Sequence, residues 1–450
     1  MRALTLLLAA VLLALGPAGC RPAEEPATPR TPVVLITIDT QRADRLGCFG
    51  YDAPTSPVLD RLAAESVLFS NHHVQAPLTL PSHSSILTGL LPYHHGVLSN
   101  GSYKLSPEAW TLPEMLADRG WTTGAVVSAG VLHPEFGLSQ GFGTYSWQEE
   151  GNTTVSQTDA THATERAVRW LEGLDGSAPP FLWVHYFDPH GPYTAPERFT
   201  ESGPYDAEVR YADEQVGVLL QTLQDLGLYD DALLVVTSDH GQHLGEHGYG
   251  GHTLSLYEET LHAPLLVRFP GGEHGGREIA SLTRSIDILP TVMQALGEEL
   301  PGDLDGVALQ QAVLGDGPRQ DLESYSETRF AGQQAVHKKS LVRGRWKLIT
   351  KYNLPADTDV EGLLGDMDLA TLEERFPRIR DLVAFEVHAR ELYDLQADPE
   401  EQVNLYLERP DVAARMEEYL AAYRPSDAAL PTTEHAPDAD MQRQLRELGY

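Results

Sequence analysis

Apolar runs of strand length, several breaking off beside a polar or acidic residue, constrain this chain more than any other feature. Residues 33–39 form a nearly continuous apolar run that ends in the carboxylate of Asp39. Residues 123–128, 181–186, 233–238 and 264–269 have the same character. Strands apolar along their whole length belong to sheets covered on both faces. Helical patterns at 57–66, 158–174 and 207–226 lie between the runs. This alternation predicts an α/β fold: a large, mostly parallel sheet flanked by helices, with ligands gathered beyond the carboxyl ends of the strands. Asp39 and Asp239 each stand at such an end. From about residue 315 the pattern changes to short strands at 340–342, 346–350 and 391–395 and a helix near 412–423. That segment, 315–450, reads as a smaller C-terminal antiparallel α+β subdomain beside a catalytic domain at 33–314. The charged stretch 357–380 reads as a surface insertion, and no repeat of solenoid period is present.

A formal net charge of −33 over 450 residues repels nucleic acid and anionic membrane surfaces, so neither is expected as an electrostatic partner. An acidic protein that acts on an anion must build local positive charge, and a metal ion concentrates it best. Two cysteines, Cys20 and Cys48, make no disulfide framework and no C-x-x-C site. At the N-terminus, Arg2 precedes the mostly apolar stretch 3–15 and then small residues up to Cys20. This is the order of a secretory signal over 1–20, too short to span a bilayer comfortably. The small residues before Cys20 resemble a bacterial lipoprotein processing site, although Pro17 stands where an aliphatic residue is usual. Membrane attachment through a lipidated Cys20 and plain cleavage both stay open. Residues 21–32, rich in Pro, Ala and Glu, read as a tether. Export to the periplasm or cell envelope is the expectation.

Asp239 and His240 follow the run 233–238 in the string TSDHGQHLGEHG, and a strand end followed by glycine sets carboxylate and imidazole side by side, as a divalent cation requires. Asp39 supplies an oxygen from a neighbouring strand; each Asp alone is as well explained as a turn or cap residue. In APLTLPSHSSILTGLLP, residues 76–92, Pro81 suits the first turn of a helix and puts Thr79 at or just before its N-terminus. Backbone N–H groups there would face the Thr79 hydroxyl and a bound oxyanion, making Thr79 a nucleophile if a metal lowers the energy of its alkoxide. The plain alternative is a threonine N-cap.

These strings resemble the sulfatase family of the alkaline-phosphatase superfamily. VLITIDTQRADRLGCFGY is similar to its first metal-binding strand and SPVLDRLAAESVLFSN to the helix and strand that follow. TLPSHSSILTGLLPYHHGV lies where the family carries Cys- or Ser-x-Pro-x-Arg. The resemblance runs on through HYFDPHGPY, SDHGQHLGEHG, LYEETLHAPLLVRFPG and SIDILPTVMQALG to RGRWKLI and ELYDLQADPEEQVNL. It implies Asp39, Asp239 and His240 as metal ligands with Thr79 at the nucleophile position. It also implies His83 where an Arg steadies the nucleophile, His190 as a contact to the anionic group or leaving oxygen, and His252 in place of an anion-binding Lys. His185 and His247 are neighbours with equally good structural explanations. The implied cofactor is one divalent ion, calcium by resemblance, with manganese, zinc or magnesium as alternatives. The implied substrate is a small-molecule or glycan anionic ester.

Three departures qualify the resemblance. Thr40 replaces a second Asp, removing a carboxylate from the metal shell and weakening a calcium-type site. Thr79 cannot become formylglycine as Cys or Ser does. His83 and His252 replace Arg and Lys, so the anion pocket is expected to lose permanent charge and become sensitive to mildly acidic pH. An Asp, Thr, Asp, His shell also resembles the phosphoethanolamine transferases and lipoteichoic-acid synthases, which place a threonine nucleophile on manganese or zinc. The functional expectation is therefore a metal-dependent hydrolase of sulfate or related oxyanion esters. The alternatives are a phosphodiester or phosphonate hydrolase or phosphotransferase acting through Thr79, and an inactive surface-tethered binding protein. Segments 100–105, 130–152 and 357–380 are the expected substrate-recognition loops.

Overall fold

The computed structural model describes residues 31–147, 157–315, 322–330, 336–352, 390–424 and 429–447. The signal segment with Cys20, most of the tether, part of the 130–152 loop and the whole 357–380 insertion lie outside the described residues. From Thr31 onward the chain forms one compact unit.

Its main sheet has eight strands: β1 (Val33–Ile38), β2 (Val67–Phe69), β3 (Thr122–Val126), β4 (Thr144–Ser146), β5 (Pro180–Tyr186), β6 (Leu233–Ser238), β7 (Leu265–Arg268) and β8 (Arg277–Ile279). Their spatial order is β8-β2-β7-β6-β1-β5-β3-β4. Strands β6, β1, β5, β3 and β4 run parallel; β7 alone is reversed, pairing antiparallel with both β6 and β2. The run at 264–269 thus forms a strand of the opposite direction, which periodicity does not encode.

Each central strand is buried on both faces, and alternate residues feed different cores. Val33 and Leu35 of β1, with Phe181 and Trp183 of β5, pack towards helix α2 (Thr79–Thr88), helix α3 (Leu112–Asp118) and helix α6 (Ile288–Ala295). Val34, Ile36 and Ile38, with Leu182, Val184 and Tyr186, pack towards α1 (Pro57–Ala64), α4 (Ala160–Glu172) and α5 (Pro204–Asp225). Burying a branched side chain is worth roughly 1.5–3 kcal/mol, so neither face tolerates a shift of register by one residue.

Register also sets the site. Ile38 pairs with both Tyr186 and Ser238, so β1, β5 and β6 end in line. Asp39 and Asp239 are the next residues of adjacent strands and emerge together.

A second sheet is antiparallel, in the order β9 (Glu323–Phe330), β10 (Val336–Arg343), β11 (Trp346–Tyr352) and β12 (Arg390–Asp394). Helix α7 (Pro410–Ala421) covers it through Val412, Met416 and Leu420, and the same cluster takes in Leu91 and Ile286 from the larger layer. The smaller sheet and the larger one therefore share apolar contact.

Candidate active site

Helix α2 begins at Thr79 and is buried along its whole length. Pro81 lies in its first turn, as its missing N–H allows. The helix N-terminus offers less than the sequence suggested: the Leu80 N–H donates to Asn100 Oδ1 at 2.9 Å, and Pro81 has no N–H. The helix-end contribution to an oxyanion is thereby narrowed to Thr79 itself. Asn100, expected as part of a recognition loop, is a helix cap here.

His83 sits one turn further on and is fully buried. Its Nδ1 lies 2.7 Å from the Thr79 carbonyl, which only accepts, so Nδ1 carries the proton. Nε2 is 3.0 Å from Thr37 Oγ1, and Thr37 Oγ1 in turn accepts from Trp183 Nε1 at 3.0 Å. Donation runs from Trp183 to Thr37, from Thr37 to His83 and from His83 to the Thr79 carbonyl. Burial, with the neighbouring His185, holds the His83 pKa well below its ordinary value. This corrects the expectation of a titratable charge at His83: burial favours the neutral ring, whose Nδ1–H holds the Thr79 peptide group. The signal was available, because Thr37 pairs with His185 and Leu35 with Trp183 on the β1 face that α2 covers.

Asp39 and Asp239 are fully buried. Both oxygens of Asp39, and Oδ2 of Asp239, have no hydrogen-bond partner. Oδ1 of Asp239 accepts the backbone N–H of His240 at 2.8 Å and that of Thr40 at 3.3 Å. Burial raises the pKa of both carboxyls, and the Asp39 charge raises that of Asp239 further. Two desolvated carboxylates with three unpartnered oxygens between them cost several kcal/mol unless a cation meets them.

Three imidazoles surround the pair, and their hydrogen bonds separate their roles. His240 Nδ1 lies 3.0 Å from the Gly241 carbonyl and so carries the proton. Its Nε2 is left with a lone pair 3.5 Å from Asp239 Oδ2, 3.9 Å from Asp39 Oδ1 and 3.5 Å from Thr79 Oγ1. A ring N–H tied to a backbone carbonyl is the usual support of a metal-ligating histidine. Burial lowers the His240 pKa to about 3, which keeps the lone pair available. Gly241 is needed behind it, because a Cβ there would lie 2.1 Å from the Glu259 carbonyl oxygen. His185 has the opposite tautomer: Nδ1 accepts the Ser128 N–H at 3.4 Å, so Nε2–H faces Asp39 Oδ2 at 3.5 Å. The donor atoms of Asp39, Asp239 and His240 lie close enough together to hold one ion, as do those of His83, His185 and Asp239. Tautomer logic favours the first group, since His83 has both nitrogens engaged and His185 presents a proton. The donor set fits a divalent cation.

His190 and His252 join this cluster. The His252 ring stacks on His240 with centroids 4.2 Å apart, and its Nδ1 lies 2.8 Å from the Pro77 carbonyl. His190 Nδ1 lies 2.5 Å from the Gly191 carbonyl. Both rings therefore carry Nδ1 protons, and their Nε2 atoms, 3.3 Å apart, form a hydrogen bond only if one further proton sits between them. The pair then carries a single positive charge. His247, in contrast, pairs with Glu259 at 3.5 Å and stacks on Tyr257, where its role is structural.

The sulfatase family model matches residues 31–298, more than half of the chain. This chain belongs to the sulfatase family. A further model, described as N-sulphoglucosamine sulphohydrolase, C-terminal, matches residues 245–367. Human arylsulfatase A is 29% identical over 443 residues, covering 83% of each chain. The N-acetylglucosamine-6-O-sulfatase of Bacteroides thetaiotaomicron is 22% identical over 512 residues, covering 88% of this chain and 86% of the relative. Among solved structures, the phosphonate monoester hydrolase of Agrobacterium radiobacter shares the fold at a TM-score of 0.69 and 21% identity, over 87% of this chain and 95% of that one. A structure solved with its substrate D-glucosamine-2-N,6-O-disulfate aligns at 0.70 and 18% identity, over 93% and 99%. This sulfatase-family chain is thus an ester hydrolase of the sulfuric-ester type, and residues 39, 79, 83, 190, 239, 240 and 252 all fall within the matched segment.

Proposed function

We propose that this sulfatase-family chain is a divalent-metal-dependent hydrolase of sulfate or related oxyanion esters in which Thr79 Oγ1 is the nucleophile. The observation that carries this reading is the place of Thr79: fully buried, first in its helix, with Oγ1 3.5 Å from His240 Nε2 at the edge of the Asp39 and Asp239 pair. Asp39, Asp239 and His240, with Thr79 Oγ1 beside them, would hold a divalent ion, which when bound would supply the positive charge that lowers the cost of a threonine alkoxide. His83 fixes the Thr79 peptide, so that the side chain is presented in one orientation. With Thr79 entering as the alkoxide, its hydroxyl proton given up to solvent, Oγ1 forms a bond to the central sulfur as the bond to the ester oxygen breaks, and the departing oxygen takes a proton shared by His190 and His252. Water then attacks the same sulfur, returns a proton to the histidine pair and releases sulfate and free Thr79. Thr79 carries a single oxygen, so discharge must occur at the central atom.

That requirement favours one second reading, in which the central atom is phosphorus and the substrate a phosphodiester or phosphonate, with water or an alcohol as acceptor. Relatives named for sulfated sugars support a small-molecule or glycan ester, and the signal-like N-terminus supports export to the periplasm or cell envelope, with lipid attachment at Cys20 and plain cleavage as the two alternatives.

The test supplies protein stripped of metal with calcium, magnesium, manganese and zinc in turn and assays aryl sulfate, phosphate monoester, phosphodiester and phosphonate beside the Thr79→Ala variant. Metal-dependent sulfate release lost in the variant supports the first reading; phosphoester or phosphonate cleavage lost in the variant, without sulfate release, supports the second. No turnover of any ester would turn the reading to a binding protein.

A further inference from the structure

The loop 188–195, which carries His190 and Tyr193, leads away from the end of β5, and a carboxyl group ties down each of its ends. At the first, Asp188 Oδ2 accepts the N–H of Ala160, the residue that opens α4, at 2.7 Å. At the last, Glu208 Oε1, from the second turn of α5, accepts the Ala195 N–H at 2.6 Å. The two carboxyls lie within hydrogen-bond reach of each other, so the loop is closed into a ring through them. Both side chains are buried.

Two ionised carboxylates in contact repel, and neither has a proton to donate. Glu208 Oε2 is buried without a hydrogen-bond partner. Among the described residues, no lysine, arginine or histidine pairs with either carboxyl. The groups packed around the pair are turned to other partners. On α5, Asp206 faces Tyr51 and Arg45, and the Tyr205 hydroxyl donates to the Thr40 carbonyl. Beside α4, Asp159 meets the N–H and the ring of His162, and the Tyr211 hydroxyl lies 2.7 Å from Thr161 Oγ1. In the loop itself, Tyr193 meets Gln242 and His190 meets His252. Burial and the neighbouring Glu208 hold the Asp188 carboxyl well above its ordinary pKa, and burial raises that of Glu208 as well.

We propose that Asp188 and Glu208 share one proton and that this carboxyl pair is a positioning element for His190, fixing the loop that presents its ring to the ester. The proton supplies the donor that Glu208 Oε2 lacks, and one carboxyl stays neutral because like charges in contact cannot both ionise. Loss of the proton sets two carboxylates against each other and opposes closure of the loop. The shared proton stands without the hydrolase reading; the positioning of His190 rests on that reading and deepens it.

The experiment follows urea unfolding of the full-length protein from about pH 5 to about pH 9, with wild type beside Glu208→Gln, Asp188→Asn and Glu208→Ala, and measures turnover of the best ester substrate on the same proteins. A pair whose folded pKa lies above the unfolded one contributes stability that is present below the ordinary carboxyl range and lost as pH rises through the folded value. Wild type is therefore expected to retain about one proton more on folding than Glu208→Gln or Asp188→Asn, where an amide N–H that cannot titrate bridges the pair, and to lose stability more steeply as pH rises. Glu208→Ala removes the bridge and the Ala195 contact, and is expected to lower kcat about 10- to 100-fold with KM little changed, while Glu208→Gln stays near wild type. Asp188→Ala serves the same comparison where Glu208→Ala does not fold. Equal pH slopes in wild type and both amide variants overturn the shared proton. A slope difference abolished by added calcium or magnesium overturns it too, by assigning the pair to a cation. The expected slopes with alanine variants that turn over like wild type overturn the positioning role alone. The expected slopes with no ester turned over by wild type overturn the hydrolase reading, and the positioning role with it, and leave the shared proton in place.

Discussion

His83 shows how much a single residue can differ from the role its position suggests. An arginine there would bring permanent charge; the buried imidazole brings a proton on Nδ1 for the Thr79 carbonyl and a lone pair on Nε2 for Thr37. Thr37 is therefore a positioning residue. Thr37→Val removes the donor to His83 and the acceptor for Trp183 together, and is expected to cost about 1–3 kcal/mol of stability in urea unfolding. Turnover number should fall with KM little changed, because the substrate's own contacts stay in place. An unchanged turnover number would show that the Thr79 peptide needs no such support. At this scale the sequence was informative about identity and poor about protonation. Asp39, Asp239, His240, Thr79, His190 and His252 could be named from motifs, but which ring nitrogen of His83, His190 and His252 carries a proton depends on which carbonyl each ring meets. No spacing encodes that.

Helix α2 is fixed at its far end by a second neutral histidine. His95 Nδ1 accepts the Val97 N–H at 3.1 Å, and Nε2 lies 3.1 Å from Ser85 Oγ on the helix. Burial lowers the His95 pKa from 6.5 to about 3, so the folded protein keeps it neutral while the unfolded chain takes up a proton below about 6.5. The sign follows: its contribution to stability is complete above the unfolded pKa and is lost as pH falls towards the folded one. Going from about pH 7 to about pH 5, His95 should cost about 2 kcal/mol, and His95→Gln should lose that much less over the same interval in urea unfolding. Equal losses in both proteins would place the proton uptake elsewhere. Elements themselves were largely legible, because strands buried on both faces and amphipathic helices leave distinct periods. What escaped was direction and pairing: the reversal of β7, the short edge strands β4 and β8, and all of β9. A reversed strand carries the same apolar run as a parallel one, and three-residue strands are too short to show a period.

The four-stranded sheet meets the larger layer through a buried charge cluster as well as through apolar contacts. Lys347 of β11 is fully buried, with Nζ 2.7 Å from Glu258 Oε1 and 3.0 Å from Glu401 Oε1, while Glu258 also meets His73 Nε2 at 2.9 Å. Burial lowers the Lys347 pKa, but the two carboxylates outweigh it and the net shift is upward. Lys347→Met strands both glutamates and is expected to destabilise the protein by about 3–5 kcal/mol in urea unfolding. A loss under about 1 kcal/mol would mean that the cluster is solvated or rearranged and contributes as little as an exposed pair. Lys347, Glu258 and Glu401 stand in RGRWKLI, LYEETLHAPLLVRFPG and ELYDLQADPEEQVNL, strings that carried the family resemblance without a stated reason. Their meeting supplies one: the strings encode a clamp between the four-stranded sheet and the larger layer, which only three-dimensional contact reveals. Thr79, buried beside the Asp39 and Asp239 pair with Oγ1 3.5 Å from His240 Nε2, is the proposed covalent nucleophile. The direct measurement is rapid quenching of metal-loaded enzyme with its best ester substrate, followed by peptide mass spectrometry across α2. The account predicts a sulfuryl or phosphoryl group on Thr79 that appears within a turnover and needs metal. Full turnover with the Thr79 peptide unmodified, and retained in Thr79→Ala, would contradict it.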